Sequence, residues 1–268
     1  METGWLSEKI RTYREAAQEL LFFDCSLWLG APEGFPLSRE LPLEALESEM
    51  SAHFITGGLV SHWLGKTLSA QAGNRLLEEQ SSLLPEGMYT LWTGLPLYPE
   101  DREPLPGIGT THRSMRGVRI FPNSHNYAAE HWILGGLCDW MTTHNLPLFI
   151  WHTEIDLRSL HTLALQFQGL SIVLETQTQK ILYHARTLFS LMLDCPNVHI
   201  ETSNFVGADY LEYAVSEFGA HRLLYGSFLP VNDPFVGIGM ILDADVSEKD
   251  KSLIAGGNLR RMIREVNL

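Results

Sequence analysis

Short, nearly continuous apolar runs alternate with segments of helical periodicity along the chain. Strands that are buried on both faces read as unbroken apolar stretches, whereas amphipathic helices repeat their apolar positions every three or four residues. Strands are predicted at 21–27, 58–62, 88–93, 117–121, 147–152, 170–175, 197–202 and 222–227. Helices are predicted at 7–20, 43–52, 69–84, 130–144, 157–168, 180–193 and 208–218.

This alternation predicts a single α/β domain over residues 1–268, a (β/α)8 barrel of the TIM type. A helix between consecutive strands makes them pair in parallel with right-handed crossovers, and eight such units close into a barrel. A doubly wound open sheet is the competing arrangement. The glycine pairs Gly107/Gly109 and Gly237/Gly239 do not favour it, because they lie in predicted loops and lack the third glycine of a dinucleotide-binding turn.

Composition narrows the classes of function. The chain has 268 residues, 45% of them hydrophobic, and a formal net charge of −13. An acidic surface repels phosphate backbones, so we expect no nucleic-acid partner. The cysteines Cys25, Cys138 and Cys195 are widely spaced and form no CxxC motif, which fits buried free thiols in the cytoplasm. The sequence shows neither a signal peptide nor a run long enough to span a membrane, so we expect no membrane association.

Six stretches resemble, in the same order, segments of the amidohydrolase-related family of metal-dependent hydrolases. The resemblance extends over essentially the whole chain. It implies the barrel fold, a hydrolase activity and an active site at the carboxyl ends of the strands, where a divalent metal activates water. The matching stretches are 21–30, 117–122, 146–153, 197–203, 223–230 and 246–258.

Most of the metal-binding positions that the resemblance implies are replaced in this chain. The first-strand histidines fall at Ser26 and Trp28, the sixth-strand histidine at Thr176, and the eighth-strand aspartate at Phe228. The fifth-strand histidine is present as His152. A catalytic zinc takes three protein ligands from His, Asp, Glu or Cys, so we expect no metal or other cofactor here. A relocated divalent metal remains an alternative.

Acid–base chemistry without a metal has four candidate catalytic residues near the strand ends: His152, Glu154, Glu175 and Glu201. Strand alternation would turn Glu175 toward the helices if Thr176 points into the barrel. Pairing with a helix arginine or lysine, or capping of backbone amides, is therefore the alternative role of Glu175 and Glu201. For His152 the alternative is a hydrogen bond to a backbone carbonyl.

Further polar and aromatic residues near the strand ends are candidates for substrate contacts. An aromatic lining favours a flat or apolar ligand over a phosphorylated one, although the same rings could simply fill an inactive site. His112 and Arg113 belong to a long loop, 94–116, that could cover the pocket. The candidates for substrate contacts are Ser26, Trp28, Trp92, Arg119, His125, Thr176, Ser203, Ser227 and Phe228.

Three hypotheses for function follow. The first is a hydrolase or lyase that acts on a small carboxylate, lactone or amide through His152 and a nearby carboxylate. The second is an inactive barrel that binds a small molecule or serves as a partner subunit, and the third is a metal hydrolase with a relocated site. The resemblance is also compatible with a homo-oligomer.

Overall fold

The computed structural model describes residues 3–35, 38–96, 114–177 and 181–268. Its strands form one parallel eight-stranded sheet in which each strand lies beside the next one along the chain. The strands are β1 Phe22–Leu29, β2 Ile55–His62, β3 Met88–Thr93, β4 Met115–Ile120, β5 Leu148–Trp151, β6 Ile172–Glu175, β7 Val198–Glu201 and β8 Leu223–Leu224.

Helices follow the strands around the outside of the sheet. Every predicted helix is present, with boundaries that shift by a few residues. The α-helices are α1 Thr3–Leu20, α2 Leu43–Ala52, α3 Leu64–Thr67, α4 Ala70–Gln80, α5 His131–Thr143, α6 Leu157–Gln166, α7 Ala185–Asp194, α8 Tyr210–Phe218, α9 Pro234–Asp243, α10 Glu248–Ser252 and α11 Asn258–Arg264.

The sheet closes on itself where the segment after β8 meets β1. The amide of Cys25 donates to the carbonyl of Tyr225 at 3.0 Å, and the amide of Trp28 donates to the carbonyl of Leu229 at 3.0 Å. Closure after eight parallel strands is the topology of a (β/α)8 barrel. The predicted barrel is therefore confirmed, and the doubly wound sheet is not formed.

Side chains alternate between two layers along each strand. On β5, Leu148 and Ile150 pack in the large core between strands and helices, whereas Phe149 packs with Val173 and Leu224 in a separate core inside the barrel. Successive strand side chains point to opposite faces, so this alternation fixes which residues can reach the barrel interior. The end of the interior at the carboxyl termini of the strands is called the mouth below.

Four observed helices, α3, α9, α10 and α11, lie outside the seven predicted ones, and α10 belongs to the matching stretch 246–258. Of these, α9 contains Gly237 and Gly239. The prediction that this glycine pair lies in a loop is wrong, because Asp233 caps the helix through the amide of Phe235 at 2.9 Å and Pro234 occupies its first turn. The pair Gly107/Gly109, with His112 and Arg113, lies outside the described residues.

Two further expectations can be compared with the structure. The three cysteines are free and buried, as predicted. None of the helices in the described part of the chain combines the length and the apolarity that crossing a membrane requires.

Candidate functional site

A buried ion pair lies inside the barrel, just below the mouth. Arg119 of β4 donates from Nε to Oε2 of Glu175 at 2.8 Å and from Nη2 to Oε1 at 2.6 Å, and both residues are fully buried. Two parallel hydrogen bonds of this kind are the strongest arrangement between a guanidinium and a carboxylate. Ser61 accepts from Nη1 of Arg119 at 2.6 Å, and Gln177 donates to Oε1 of Glu175 at 2.9 Å.

The alternative role considered for Glu175, pairing with an arginine or lysine of a helix, is not what the structure shows, because its partner Arg119 lies on a strand. Glu175 is the last residue of β6 and follows the alternation of Val173, so its carboxylate enters the barrel and meets a strand arginine. Burial raises the pKa of Glu175, while the Arg119 guanidinium opposes that shift.

An aromatic cluster fills the mouth above Arg119. The guanidinium carbon of Arg119 lies 4.2 Å from the ring centroid of Trp28, which is a cation–π distance. Trp28 stacks on Trp63 at 4.6 Å between centroids and meets the edge of Trp151 at 5.5 Å. Phe228 lies in the segment after β8, directly beside β1, and its ring centroid is 6.5 Å from that of Trp28. The aromatic cluster consists of the buried side chains Trp28, Trp63, Phe121, Trp151 and Phe228.

The backbone holds Phe228 in a conformation that a non-glycine residue rarely adopts. Its φ is 58°, in the left-handed region, which costs about 1–2 kcal/mol for such a residue. The preceding Ser227 is fixed on both sides, since its amide donates to Oδ1 of Asp24 at 3.0 Å and its hydroxyl accepts from the amide of Leu229 at 3.0 Å. Ser227 and Asp24 therefore position the phenyl ring over the mouth. Burial raises the pKa of Asp24 to about 6.

Glu201 joins the ends of β6 and β7. Its carboxyl group accepts from the amide of Thr176 at 3.0 Å and from the hydroxyl of Ser203 at 3.0 Å, and also from the amide of Ser203. A side chain on Gly226 would collide with this carboxyl group, so Gly226 leaves room for it. Burial, together with the nearby charge of Glu175, raises the pKa of Glu201 to about 8.

His152 follows β5 at the rim of the mouth. Its Nδ1 lies 3.3 Å from the carbonyl oxygen of Glu175, and the residue is buried. Burial lowers the pKa of His152, so the imidazole is neutral at neutral pH. The contact matches the alternative role predicted for His152, a hydrogen bond to a backbone carbonyl. The neutral ring is also the form that can accept a proton.

Glu154 takes part in a polar bridge above β4 and β5. Its carboxylate accepts from the amide of Ser124 at 2.8 Å and from the Ser124 hydroxyl at 2.6 Å, and Lys66 lies 3.3 Å away. Lys66 also donates to the Ser124 hydroxyl at 2.7 Å. His125 contacts the Lys66 carbonyl through Nε2 at 3.1 Å. These contacts connect three of the loops that surround the mouth.

A pocket of about 310 Å³ opens outside the aromatic cluster, and we call it the mouth pocket. Its lining combines rings, threonine hydroxyl groups, one lysine and two carboxylates. The lining residues are Glu33, Gly34, Phe35, Trp63, Lys66, Thr67, Trp151, Thr153 and Glu154.

The structure divides the candidates for substrate contacts between the interior of the barrel and the outer core. Ser26, Trp28, Arg119, Thr176, Ser203, Ser227 and Phe228 all lie in the buried network or in the aromatic cluster, beneath the mouth pocket. Trp92 packs instead in the outer core with Val118 and Leu137, on the helix side of β3. The expectation that it lines the mouth is corrected, because the register of β3 turns Leu91 rather than Trp92 into the barrel.

Several residues that shape the mouth were not predicted from the sequence. Alternation from Phe149 would have placed Trp151 on the inner face, and Trp63 directly follows β2. Lys66 lies on α3, whose four residues carry no periodic signal.

Comparison with solved structures finds similar barrels over nearly the whole chain. Amidohydrolase 2 from Bifidobacterium longum subsp. infantis is 18% identical with a TM-score of 0.66, and the match covers 91% of this chain and 98% of that one. The fold is that of the amidohydrolase-type barrels. A 2,6-dihydroxybenzoate decarboxylase from Rhizobium is 15% identical with a TM-score of 0.65, covering 90% and 99% of the two chains.

A third similar structure is a putative 2-pyrone-4,6-dicarboxylic acid hydrolase from Pseudomonas putida. It is 15% identical with a TM-score of 0.63, and the match covers 92% of this chain and 98% of that one. No family model matches the chain, and neither does any curated protein. The resemblance read from the sequence is thus confirmed at the level of the fold.

The metal that this resemblance implies does not fit the residues present. At two of the implied metal-binding positions, Trp28 and Phe228 carry aromatic rings, which cannot bind the metal. The Ser26 hydroxyl accepts from Gln177, and the Thr176 hydroxyl donates to Glu201. Of the five implied metal-binding positions, only His152 carries a side chain that commonly binds zinc. A catalytic zinc takes three protein ligands.

The raised pKa of Glu201 makes the stability of the fold depend on pH. The folded protein keeps the Glu201 proton up to about pH 8, whereas the unfolded chain releases it near the ordinary value of 4.5. This contribution is complete below the unfolded pKa and is lost as the pH rises through the folded pKa. Histidines with lowered pKa values in the folded protein oppose this effect while the unfolded chain still binds their protons, which it releases around the ordinary pKa of about 6.5, so Glu201 dominates only above about pH 7.5.

We therefore expect the urea midpoint to fall as the pH rises from about 7.5 to about 8.5. Glu201→Gln should flatten this slope, and the exposed Glu217→Gln should leave it unchanged. A slope over this range that Glu201→Gln leaves unchanged would show that Glu201 is ionised in the folded protein.

Proposed function

We propose that this chain is a metal-independent amidohydrolase-type barrel that binds a small, neutral, planar carbonyl compound, such as a lactone or amide, in the mouth pocket. The observation that carries the proposal is the aromatic cluster. Its Trp28 and Phe228 rings are buried together at the positions where the resemblance places metal ligands. Ligand binding is therefore assigned to the space outside the rings.

The shape of the mouth pocket favours a flat ligand. Its volume of about 310 Å³ lies at the small end of ligand sites. The rings of Phe35, Trp63 and Trp151 line it, and an aromatic ligand gains from stacked or edge-on contact with such rings.

The charges of the mouth pocket favour a neutral ligand over an anion. Lys66 is already paired with Glu154 at 3.3 Å, and Glu33 adds a second carboxylate to the lining. A carboxylate ligand would meet this excess of negative charge, whereas a carbonyl oxygen could accept a hydrogen bond from the Lys66 ammonium group. This narrows the sequence hypothesis of a carboxylate, lactone or amide to the two neutral classes.

The compounds named for two of the similar structures agree with a planar ligand. One is a 2,6-dihydroxybenzoate decarboxylase, and another is a putative 2-pyrone-4,6-dicarboxylic acid hydrolase, so both names refer to ring compounds. Both of those compounds are acids, and the balance of charge around Lys66 is the feature that sets this chain apart in our proposal.

Coumarin, a planar neutral lactone, tests the proposal by calorimetric titration with benzoate as the anionic comparison. We expect coumarin to bind and benzoate to bind at least about tenfold more weakly. Lys66→Met should weaken coumarin binding by about tenfold or more, since it removes the hydrogen-bond donor. Lys249→Met, at an exposed position on α10, should leave binding unchanged. Tighter binding of benzoate, or no effect of Lys66→Met, would contradict the proposal.

Hydrolysis of such a ligand is the second candidate function, and the neutral His152 imidazole favours it. His152 lies between Trp151 and Thr153, which both line the mouth pocket, and a neutral imidazole can act as a general base. Glu175 and Glu201 are less suited to this role, because the protein itself occupies their carboxyl groups.

His152→Ala separates binding from hydrolysis. If the protein hydrolyses dihydrocoumarin, this substitution should reduce the rate by about 100-fold or more, as loss of a general base does. His53→Ala, at a histidine outside the mouth, serves as the matched control. A rate that survives His152→Ala would exclude His152 as the base, and a protein that binds coumarin without turnover would support binding alone.

A further inference from the structure

A histidine, a carboxylate and a thiol meet on the outside of the barrel, at the end opposite to the mouth. His161 lies on α6, Asp194 is the last residue of α7, and Cys195 follows it shortly before β7 begins. A ring nitrogen of His161 is 2.6 Å from Oδ2 of Asp194. The ligand atoms of all three residues lie within 4.8 Å of one another, which no other such group in the described ranges achieves.

We propose that His161, Asp194 and Cys195 bind a zinc ion, at a site separate from the mouth and independent of the function proposed above. Imidazole nitrogen, carboxylate oxygen and thiolate sulfur are the three donor types that zinc uses in proteins. Ligands of a tetrahedral zinc site lie about 3.3–3.8 Å apart, so the ion requires side-chain adjustments of about 1 Å.

The exposure of two of the three side chains suits this adjustment. Cys195 is the fixed ligand, because it is buried, its amide donates to Leu191 at 2.8 Å, and its carbonyl accepts from Arg222 at 2.7 Å. The side chains of His161 and Asp194 are 37% and 63% exposed. They can therefore separate from their present hydrogen bond and close over an ion that arrives from solvent.

A surface trough leaves room for a fourth ligand. It has a volume of about 690 Å³ and is lined by His161 and Asp194 together with Arg158, Thr187 and Ser190. Zinc sites with three protein ligands complete their coordination with water or with a small molecule. The site is thus expected to hold zinc with one position open to the trough.

Zinc and cobalt titrations of the whole, chelator-treated protein test the site. We expect one Zn²⁺ per chain by calorimetry, and Co²⁺ should produce the near-ultraviolet charge-transfer band of a cobalt–thiolate bond. His161→Ala and Asp194→Asn should each weaken zinc binding by about tenfold or more. Cys195→Ser should abolish the cobalt band, and His221→Ala, at an exposed histidine elsewhere, should change neither signal.

Cys195 is buried, so the Cys195→Ser protein could fail to fold. In that case His161→Ala and Asp194→Asn, at more exposed positions, still test the site. Zinc affinity that is unchanged in both His161→Ala and Asp194→Asn would overturn the site, as would the absence of zinc binding in the wild type. His152→Ala distinguishes this site from the mouth. Zinc binding that is kept in His152→Ala and lost in His161→Ala supports the proposal, and the reverse pattern would refute both this site and the metal-free mouth.

Discussion

The ion pair between Arg119 and Glu175 is the constraint on which the rest of the barrel interior depends. Two charges buried in a medium of low dielectric constant are tolerated only when they are paired and when their remaining hydrogen-bonding groups are satisfied. Ser61 and Gln177 supply those hydrogen bonds, and Trp28 covers the guanidinium with its ring. Removing one member of such a pair typically costs about 3–5 kcal/mol.

This pair also determines what the strand ends can do. Glu175 is held by Arg119, Glu201 is held by Thr176 and Ser203, and the aromatic cluster covers the network. The polar groups that an amidohydrolase-type barrel would present to a substrate are therefore engaged within the protein. What remains accessible is the mouth pocket, which is lined by Lys66, Glu154 and the rings of Phe35, Trp63 and Trp151.

The sequence was sufficient to predict the fold because each strand carries its own signal. The continuous apolar run of β5 identified it without knowledge of its neighbours, and the amphipathic helices α1, α2 and α4 to α8 showed their periodicity. The four-residue α3 was missed because one turn has no period, and α9 was missed because its glycines suggest a turn. The long loop 94–116 was predicted from composition, and most of it lies outside the described residues.

The site was harder to predict because it depends on register across the sheet. His152 and Phe228 were placed by resemblance, and both do lie at the mouth. The partnership of Arg119 with Glu175, which are 56 residues apart, requires that both side chains face inward at the same depth. Trp92 was assigned to the wrong face for the same reason, since a shift of one residue along a strand reverses the side of the sheet.

Anomalous diffraction at the zinc edge, from crystals grown with Zn²⁺, tests the central claim most directly. The account predicts well-ordered Trp28 and Phe228 rings packed together in the mouth and no anomalous peak within coordination distance of His152. A peak beside His152, with the two rings turned away and several protein groups bound to the ion, would contradict it.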